Sequence, residues 1–356
     1  MRILLVNAKQ SLADALASHA GIDVTHVRAA AHRNGDARAP GCVPARYYAA
    51  GGKLSLRAAW QLRKILREER PDVVHAFYGR ALAHTLLAAR VLPKRPKIVS
   101  FRGITSPVSR LDAGNWISYR HPLVDVHACE SEAVREAMIQ SGIDAARCWT
   151  TYNTMYVAPA RRPGRAALEQ FGIPADAFVI GTVATMRRVK GIDILLRAAI
   201  QCADLRDVYW LLLGRVIDSS IPRLADDERI RDRVRLAGHR ADASELISGA
   251  DVFVMPSRAE SLCQALLEAM HQRVCPVVSD AGGMKEVVRH QRDGLIVPAE
   301  NIDALARAIR TLHADRGLVT QFGASAEQRY AEHFTPERMA ERCLSLYSQL
   351  TNTPSA

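Results

Sequence analysis

Short apolar runs alternate with helical periodicity along almost the whole of this chain, and that rhythm restricts its fold more than any other feature. In the first half, strand-like runs fall at residues 2–6, 22–27, 72–75, 97–101, 125–128 and 148–152. Helix-like stretches lie between them at 54–69, 80–91 and 131–141. A strand, a crossover helix and a further strand build a parallel sheet, because a parallel neighbour is reached only by such a crossover. Residues 30–52 interrupt the rhythm with Gly and Pro and no period, and predict a long loop. At 158–165 (APARRPGR) Pro, Gly and charge replace periodicity, which reads as a linker. Strands are then predicted at 179–184, 208–213, 233–237, 251–255 and 274–278. Helices fit at 191–203, 242–248, 262–272, 302–313, 318–333 and 336–350.

A chain of 356 residues exceeds one ordinary core. The expectation is an α/β protein of two facing, doubly wound domains, 1–158 and 159–335, with a last segment, 336–356, crossing back to the first. Ligands of such sheets sit at the carboxyl ends of the strands, here expected in the cleft between the domains. No apolar run approaches the roughly 20 residues of a membrane-spanning helix. The start, MRILLVNAKQ, has no long apolar stretch and no small-residue cleavage site, so no signal peptide is read and a cytoplasmic location is expected. The seven cysteines are scattered without paired spacing, which predicts reduced, mostly buried thiols and no structural zinc.

The net charge of +11 is unevenly spread. Residues 1–160 hold 22 Lys and Arg against 12 Asp and Glu, whereas the rest hold 26 against 25. A basic first half suits an anionic membrane surface or a phosphorylated glycolipid; a general arginine bias of the source proteome explains it as well. Nucleic acid is not expected, since aromatics are only 6% and no binding signature is present. The basic stretch 53–70 (KLSLRAAWQLRKILREER), with Trp60, reads either as a membrane-surface helix or as a plain amphipathic helix covering the sheet.

Three segments carry chemistry. In ADVFVMPSRAESLCQALLEAM (250–270) a strand ends at Pro256, a polar loop follows, and a helix is predicted from about Leu262. Glu260 falls in the loop and Glu268 on the helix. Glu268 is flanked by Leu266, Leu267, Ala269 and Met270, an apolar setting in which an acid needs a purpose. Side chains lean toward the helix N-terminus, so Glu268 can accept bonds from ribose hydroxyls while Glu260 lies under a sugar ring. The ordinary alternatives are a cap-region acid for Glu260 and a solvated one for Glu268. In VIGTVATMRRVKGIDILLRAAI (179–200) a strand runs through a basic loop into a helix, which places Arg187, Arg188 and Lys190 beside a positive helix end, suited to a diphosphate or simply a solvated turn. In VSDAGGMKEVV (278–288), Gly282 and Gly283 allow backbone amides close to a phosphate or sugar, or only a tight turn.

In this order, together with VYWLLLG, RLAGHRADASEL and DGLIVP, these stretches resemble the retaining glycosyltransferases of family 4, which have the GT-B fold. The resemblance covers residues 179–313 well and the first half more loosely. It implies a nucleotide-diphosphate sugar as donor substrate, a glycan or glycolipid acceptor, and no cofactor. It makes Lys190 a donor-phosphate contact and Glu268 a ribose ligand, puts Glu260 and the backbone of Leu262 and Cys263 against the donor sugar, and lines the phosphate pocket with Gly282 and Gly283. No Asp-x-Asp is present, so cationic side chains rather than a metal are expected to hold the diphosphate. The family's Gly-Arg before the lysine is replaced by Ala184-Thr185, and Arg187 is the candidate substitute. Where relatives carry a histidine after the fourth strand, this chain has Arg102, expected to contact acceptor or donor phosphate. The loop 7–10 (NAKQ) lacks the usual glycines. His75 is read either as an acceptor contact or as a packed strand-end residue, and base readout is expected near 238–240 (GHR). A sugar-nucleotide epimerase and an inactive GT-B-like partner subunit are the competing readings.

Overall fold

The computed structural model describes residues 1–30, 42–49, 51–109, 111–152 and 164–352; most of the predicted linker, and residues 31–41 and 50 of the predicted loop, lie outside them. The chain divides into two compact units, Met1–Tyr156 with Thr335–Ala356, and Val157–Phe334.

The first unit holds seven strands: β1 (Arg2–Val6), β2 (Asp23–Ala29), β3 (Ala45–Tyr48), β4 (Val73–Phe77), β5 (Lys97–Arg102), β6 (Val126–Cys129) and β7 (Cys148–Thr150). They form one sheet in the order β3-β2-β1-β4-β5-β6-β7, and every pairing is parallel. Helices α1 (Gln10–Ala17), α2 (Leu56–Glu69), α3 (Tyr78–Ala89), α4 (Ala113–Arg120) and α5 (Glu132–Gln140) make the connections. Alternate strand residues serve opposite faces, as the two-residue period of a strand requires. Leu4, Val6, Val74 and Ala76 pack with α2 and α3, whereas Ile3, Leu5, Val73 and Phe77 pack with α1 and the last helix, α13 (Pro336–Asn352). Helix α13 lays Met339, Ala340, Cys343, Leu346 and Tyr347 into that second core.

The second unit carries β8 (Phe178–Val183), β9 (Val208–Leu213), β10 (Val234–Gly238), β11 (Val252–Met255), β12 (Cys275–Ser279) and β13 (Leu295–Val297). Their order is β10-β9-β8-β11-β12-β13, again all parallel. Its helices are α6 (Ile192–Gln201), α7 (Ser220–Ala225), α8 (Ala243–Ile247), α9 (Gln264–His271), α10 (Met284–Val287), α11 (Ile302–Ala314) and α12 (Arg316–His333).

The predicted strands of both halves are present within a residue or two. Strand β3 corrects the expectation of a loop across 30–52. At four residues on the sheet edge it is too short to show a period, and only its pairing with β2 makes it a strand. Strand β13 and helices α1, α4 and α7 also went unpredicted; none exceeds eight residues. All seven cysteines are free thiols; six are buried and Cys42 is half-buried. Among the described residues no helix is long and apolar enough to cross a membrane.

Candidate functional site

In the second sheet the strand order reverses between β8 and β11. Open α/β sheets take ligands at such a reversal, outside the carboxyl ends of the strands. After β8 the chain passes Arg187, makes a 3-10 turn over Arg188–Lys190, and enters α6 through Gly191. After β11 it runs through Pro256, Ser257, Arg258 and Glu260 to α9. The two loops touch at Gly191, whose φ is +67° and whose missing Cβ would stand 2.0 Å from the Pro256 carbonyl oxygen. Only glycine fits there.

Across this contact the Lys190 ammonium donates to Glu260 Oε2 at 2.5 Å, and the Ser257 hydroxyl donates to the same oxygen at 3.4 Å. Burial works against the lysine charge, but the neighbouring Glu260 outweighs it, and the pKa stands above the ordinary 10.5. Arg187 lies near enough to oppose that rise. The backbone of Glu260 is fixed as well. Its carbonyl accepts the Gly283 amide at 3.3 Å, and a Cβ on Gly282, at φ +55°, would fall 1.8 Å from that same oxygen. The Gly-Gly pair thus brings the loop after β12 against the loop after β11.

A second pair locks the frame. Arg258 clasps Asp193 through both Nη atoms, at 2.7 and 2.8 Å, and donates to the Arg188 carbonyl and to Glu300. The Arg258 amide bonds the Val189 carbonyl at 2.8 Å. Burial tends to raise the Asp193 carboxyl, but Arg258 and the amides of Asp193 and Ile194 hold it below the ordinary carboxylate range. The helix end expected to attract an anion thus carries its own first-turn acid, which Arg258 clasps. The anion-attracting groups left at the loop are the Lys190 ammonium and the exposed guanidinium groups of Arg187 and Arg188.

Helix α9 begins at Gln264, two residues after its predicted start. Leu262 and Cys263 therefore belong to the loop, with side chains only 3% and 4% exposed. Burial, then Glu260, push the Cys263 thiol up to about 12, so it is a neutral packing group. Glu268 lies one turn into α9, on the half-buried stripe it shares with Gln264 and His271, while Leu266, Leu267, Ala269 and Met270 face the core. In the stretch expected to read the base, Asp242 holds the Arg240 guanidinium at 2.7 and 2.8 Å, and Arg240 lies over the Phe171 ring.

The first unit has its own reversal, between β1 and β4. There Asn7 (φ +57°) and Tyr78 (φ +68°) take the left-handed conformation that non-glycine residues seldom adopt. The loop expected to need glycines uses Asn7 instead, whose side-chain oxygen accepts the Ala29 amide at 2.8 Å. Tyr78 is exposed; sequence reasoning missed it because no local pattern marks a strained tyrosine. Arg102 is 4% exposed, lies over the Tyr119 ring and donates to the Ser106 carbonyl at 2.6 Å. His75 is buried and hydrogen-bonded to the Tyr347 hydroxyl at 2.6 Å, which corrects the acceptor-contact reading in favour of packing.

Residues 165–329 match the family "Glycosyl transferases group 1", and residues 10–156 match the family "Glycosyltransferase Family 4". LpsE of Rhizobium meliloti (strain 1021), a lipopolysaccharide core biosynthesis glycosyltransferase, is 31% identical over 291 residues, 80% of this chain and 78% of that protein. The chain belongs to glycosyltransferase family 4. The transferase is also 28% identical over 295 residues to LpsD of the same organism, across 82% of this chain and 79% of that one. Its fold is GT-B. HepE of Anabaena in complex with UDP superposes with a TM-score of 0.79 at 19% identity, over 98% of the transferase and all of that chain. Sucrose-phosphate synthase of Thermosynechococcus elongatus gives 0.78 at 19% identity, over 98% and 99%.

Proposed function

We propose that the transferase moves a sugar, a hexose in the first instance, from a nucleoside-diphosphate donor to a glycan or glycolipid acceptor with retained anomeric configuration, in lipopolysaccharide core or related surface polysaccharide synthesis. The observation that carries this reading is the Lys190–Glu260 pair at the strand-order reversal of the second sheet. The names of LpsD and LpsE support the pathway class, and the UDP bound to HepE supports the donor class.

In this reading the second unit holds the donor. An ammonium has three donors, so Lys190 keeps Glu260 and still binds a diphosphate oxygen. Arg187 adds a second positive charge, and together they replace a divalent cation. Glu260 faces the donor sugar beside the Leu262–Cys263 backbone, Glu268 holds the ribose, and the Gly282–Gly283 turn lines the phosphate. As the bond from the anomeric carbon to the diphosphate oxygen breaks, the charge gained by the leaving group falls against Lys190. The acceptor oxygen bonds to the same face of that carbon, and its proton passes to the departing phosphate oxygen. Removing one such charge-stabilising donor costs about 10²–10³ in kcat. The first unit takes the acceptor, with Asn7 and Tyr78 at its crevice and Arg102 beneath it, on the cytoplasmic face of a membrane.

A thermal-shift panel of uridine, guanosine, cytidine and adenosine nucleotide sugars tests this first. One class should raise the melting temperature, and Glu268→Ala should weaken its calorimetric binding. No shift with any donor, or unchanged binding of the recognised donor in Glu268→Ala, would refute the reading. Donor conversion without acceptor would point to an epimerase.

A further inference from the structure

We infer that the outer face of α2 is a docking surface for an anionic lipid bilayer. The inference stands independently of the donor assignment, because it rests on a different face of a different unit.

Helix α2 has two unlike sides. Ala58, Leu62, Ile65 and Leu66 are buried against the first sheet, which accounts for the inner side as ordinary packing. Packing does not explain the outer side. Arg57, Trp60, Lys64 and Arg67 recur at helical spacing and are exposed, and Trp60 shows 64% of its surface to solvent. Just ahead of them Leu54 and Leu56 are 82% and 77% exposed. A folded chain gains nothing from a wet tryptophan and two wet leucines at one helix start, since each would gain roughly 1.5–3 kcal/mol from full burial. Something apolar covers them in use.

The charge says what that is. The acids of α2 are already taken: Arg46 pairs with Glu68 at 2.8 Å and with Glu69. Among the described residues Arg57 and Arg67 have no such partner, and Lys64 adds its charge beside the Glu68 that Arg46 already holds. Trp60, Arg63, Lys64, Arg67 and Glu68 line a shallow groove of about 270 Å³, and the Arg63 Nε is buried there without a hydrogen-bond partner. Exposed leucines at the helix start, an exposed tryptophan and a row of cations along the same helix suit the three layers of an anionic bilayer surface: acyl chains, interface and headgroups. A protein partner of the same charge would not need the aromatic and leucine tips to lie beside the cations.

A neighbouring element extends the surface. Lys53 donates to Asn115 at 3.0 Å and to Asp112 at 3.3 Å, tying the α2 entry turn to the start of α4. There Leu111 is 99% exposed, and Ile117, further along α4, is 62% exposed. Both elements belong to the part of the chain that carries nearly all of its net positive charge.

Sedimentation of the full chain with vesicles tests the surface directly. Vesicles of phosphatidylcholine doped with phosphatidylglycerol should capture the protein, and vesicles of phosphatidylcholine alone should not. Lys64→Ala with Arg67→Ala should weaken partitioning about 30-fold, since each basic side chain near an anionic leaflet is worth about fivefold. Trp60→Ser should weaken it as well, with an unchanged melting temperature showing that the chain still folds. Brominated acyl chains should quench the wild-type tryptophan emission more than that of Trp60→Phe. Equal capture by both vesicle types, no capture by either, or variants that bind like the wild type would each overturn the inference.

Discussion

Lys190 keeps its charge in a half-enclosed loop because Glu260 stands 2.5 Å away. The sign of that coupling is definite. A lysine whose folded pKa lies above its unfolded 10.5 stabilises the fold at every pH below 10.5, and the contribution is lost only as pH climbs through the folded value. The ammonium is therefore present wherever the enzyme is folded and working. Its placement depends on Gly282, where a Cβ would meet the Glu260 carbonyl at 1.8 Å and φ is +55°. Gly282→Ala should move Glu260 off Lys190, cost roughly 1–3 kcal/mol in stability and lower kcat/KM. Melting curves and initial rates check this; a variant that matches wild type in both contradicts it. Lys190, Glu260 and Gly282 were legible in the sequence because each sits at a strand-to-helix turn with a distinctive neighbourhood. Asp193 and Arg258 were not. They are 65 residues apart, and a pair made by folding leaves no local pattern.

Between elements, one guanidinium adds several ties between the α6 entrance and the loop after β11 to the Lys190–Glu260 bond. Arg258 spans Asp193, the Arg188 carbonyl and Glu300, and its side chain is 20% exposed. Arg258→Ala should cost about 3 kcal/mol in all, as when one partner of an enclosed ion pair is removed, and weaken donor binding by loosening the Lys190 turn. Arg258→Lys should not restore it, since an ammonium cannot present the flat fork that grips both Asp193 oxygens. Urea midpoints and donor titrations decide this, and a fully rescued lysine variant would contradict it. The boundaries of long elements came out of the sequence closely. The start of α9 did not: Leu262 and Cys263 look helical in an apolar run, yet both are buried, Cys263 is extended, and the helix begins only at Gln264. Strand β3 shows the same limit, since an edge strand of four residues exists through its neighbour rather than its own pattern.

For the molecule as a whole, the two parallel sheets followed from the alternation of strand and helix, because a parallel sheet with crossover helices is what that rhythm permits. What the rhythm cannot give is which helix closes which face. The core under α1 is completed by α13, whose Tyr347 reaches the buried His75 from 272 residues away. That burial has a consequence for pH. Burial lowers His75 to about 3, and burial, with Arg147 and Arg102 adding to it, lowers His127 to about 3. The unfolded chain takes up these protons near pH 6.5 and the folded chain does not. The stability they contribute is complete above 6.5 and is lost as pH falls toward 3, at about 1.4 kcal/mol per pH unit for each histidine at the steepest. Denaturant midpoints should drop between pH 6.5 and 4, less steeply in His127→Asn; a flat profile would contradict the burial.

The central claim is that the Lys190 ammonium holds a diphosphate. Calorimetric titration of the recognised nucleoside diphosphate and its monophosphate into wild type and Lys190→Ala tests it most directly. Wild type should prefer the diphosphate, and Lys190→Ala should lose that preference by about 10- to 150-fold, the worth of one charged hydrogen bond. A variant that keeps the full preference for the diphosphate would contradict the claim.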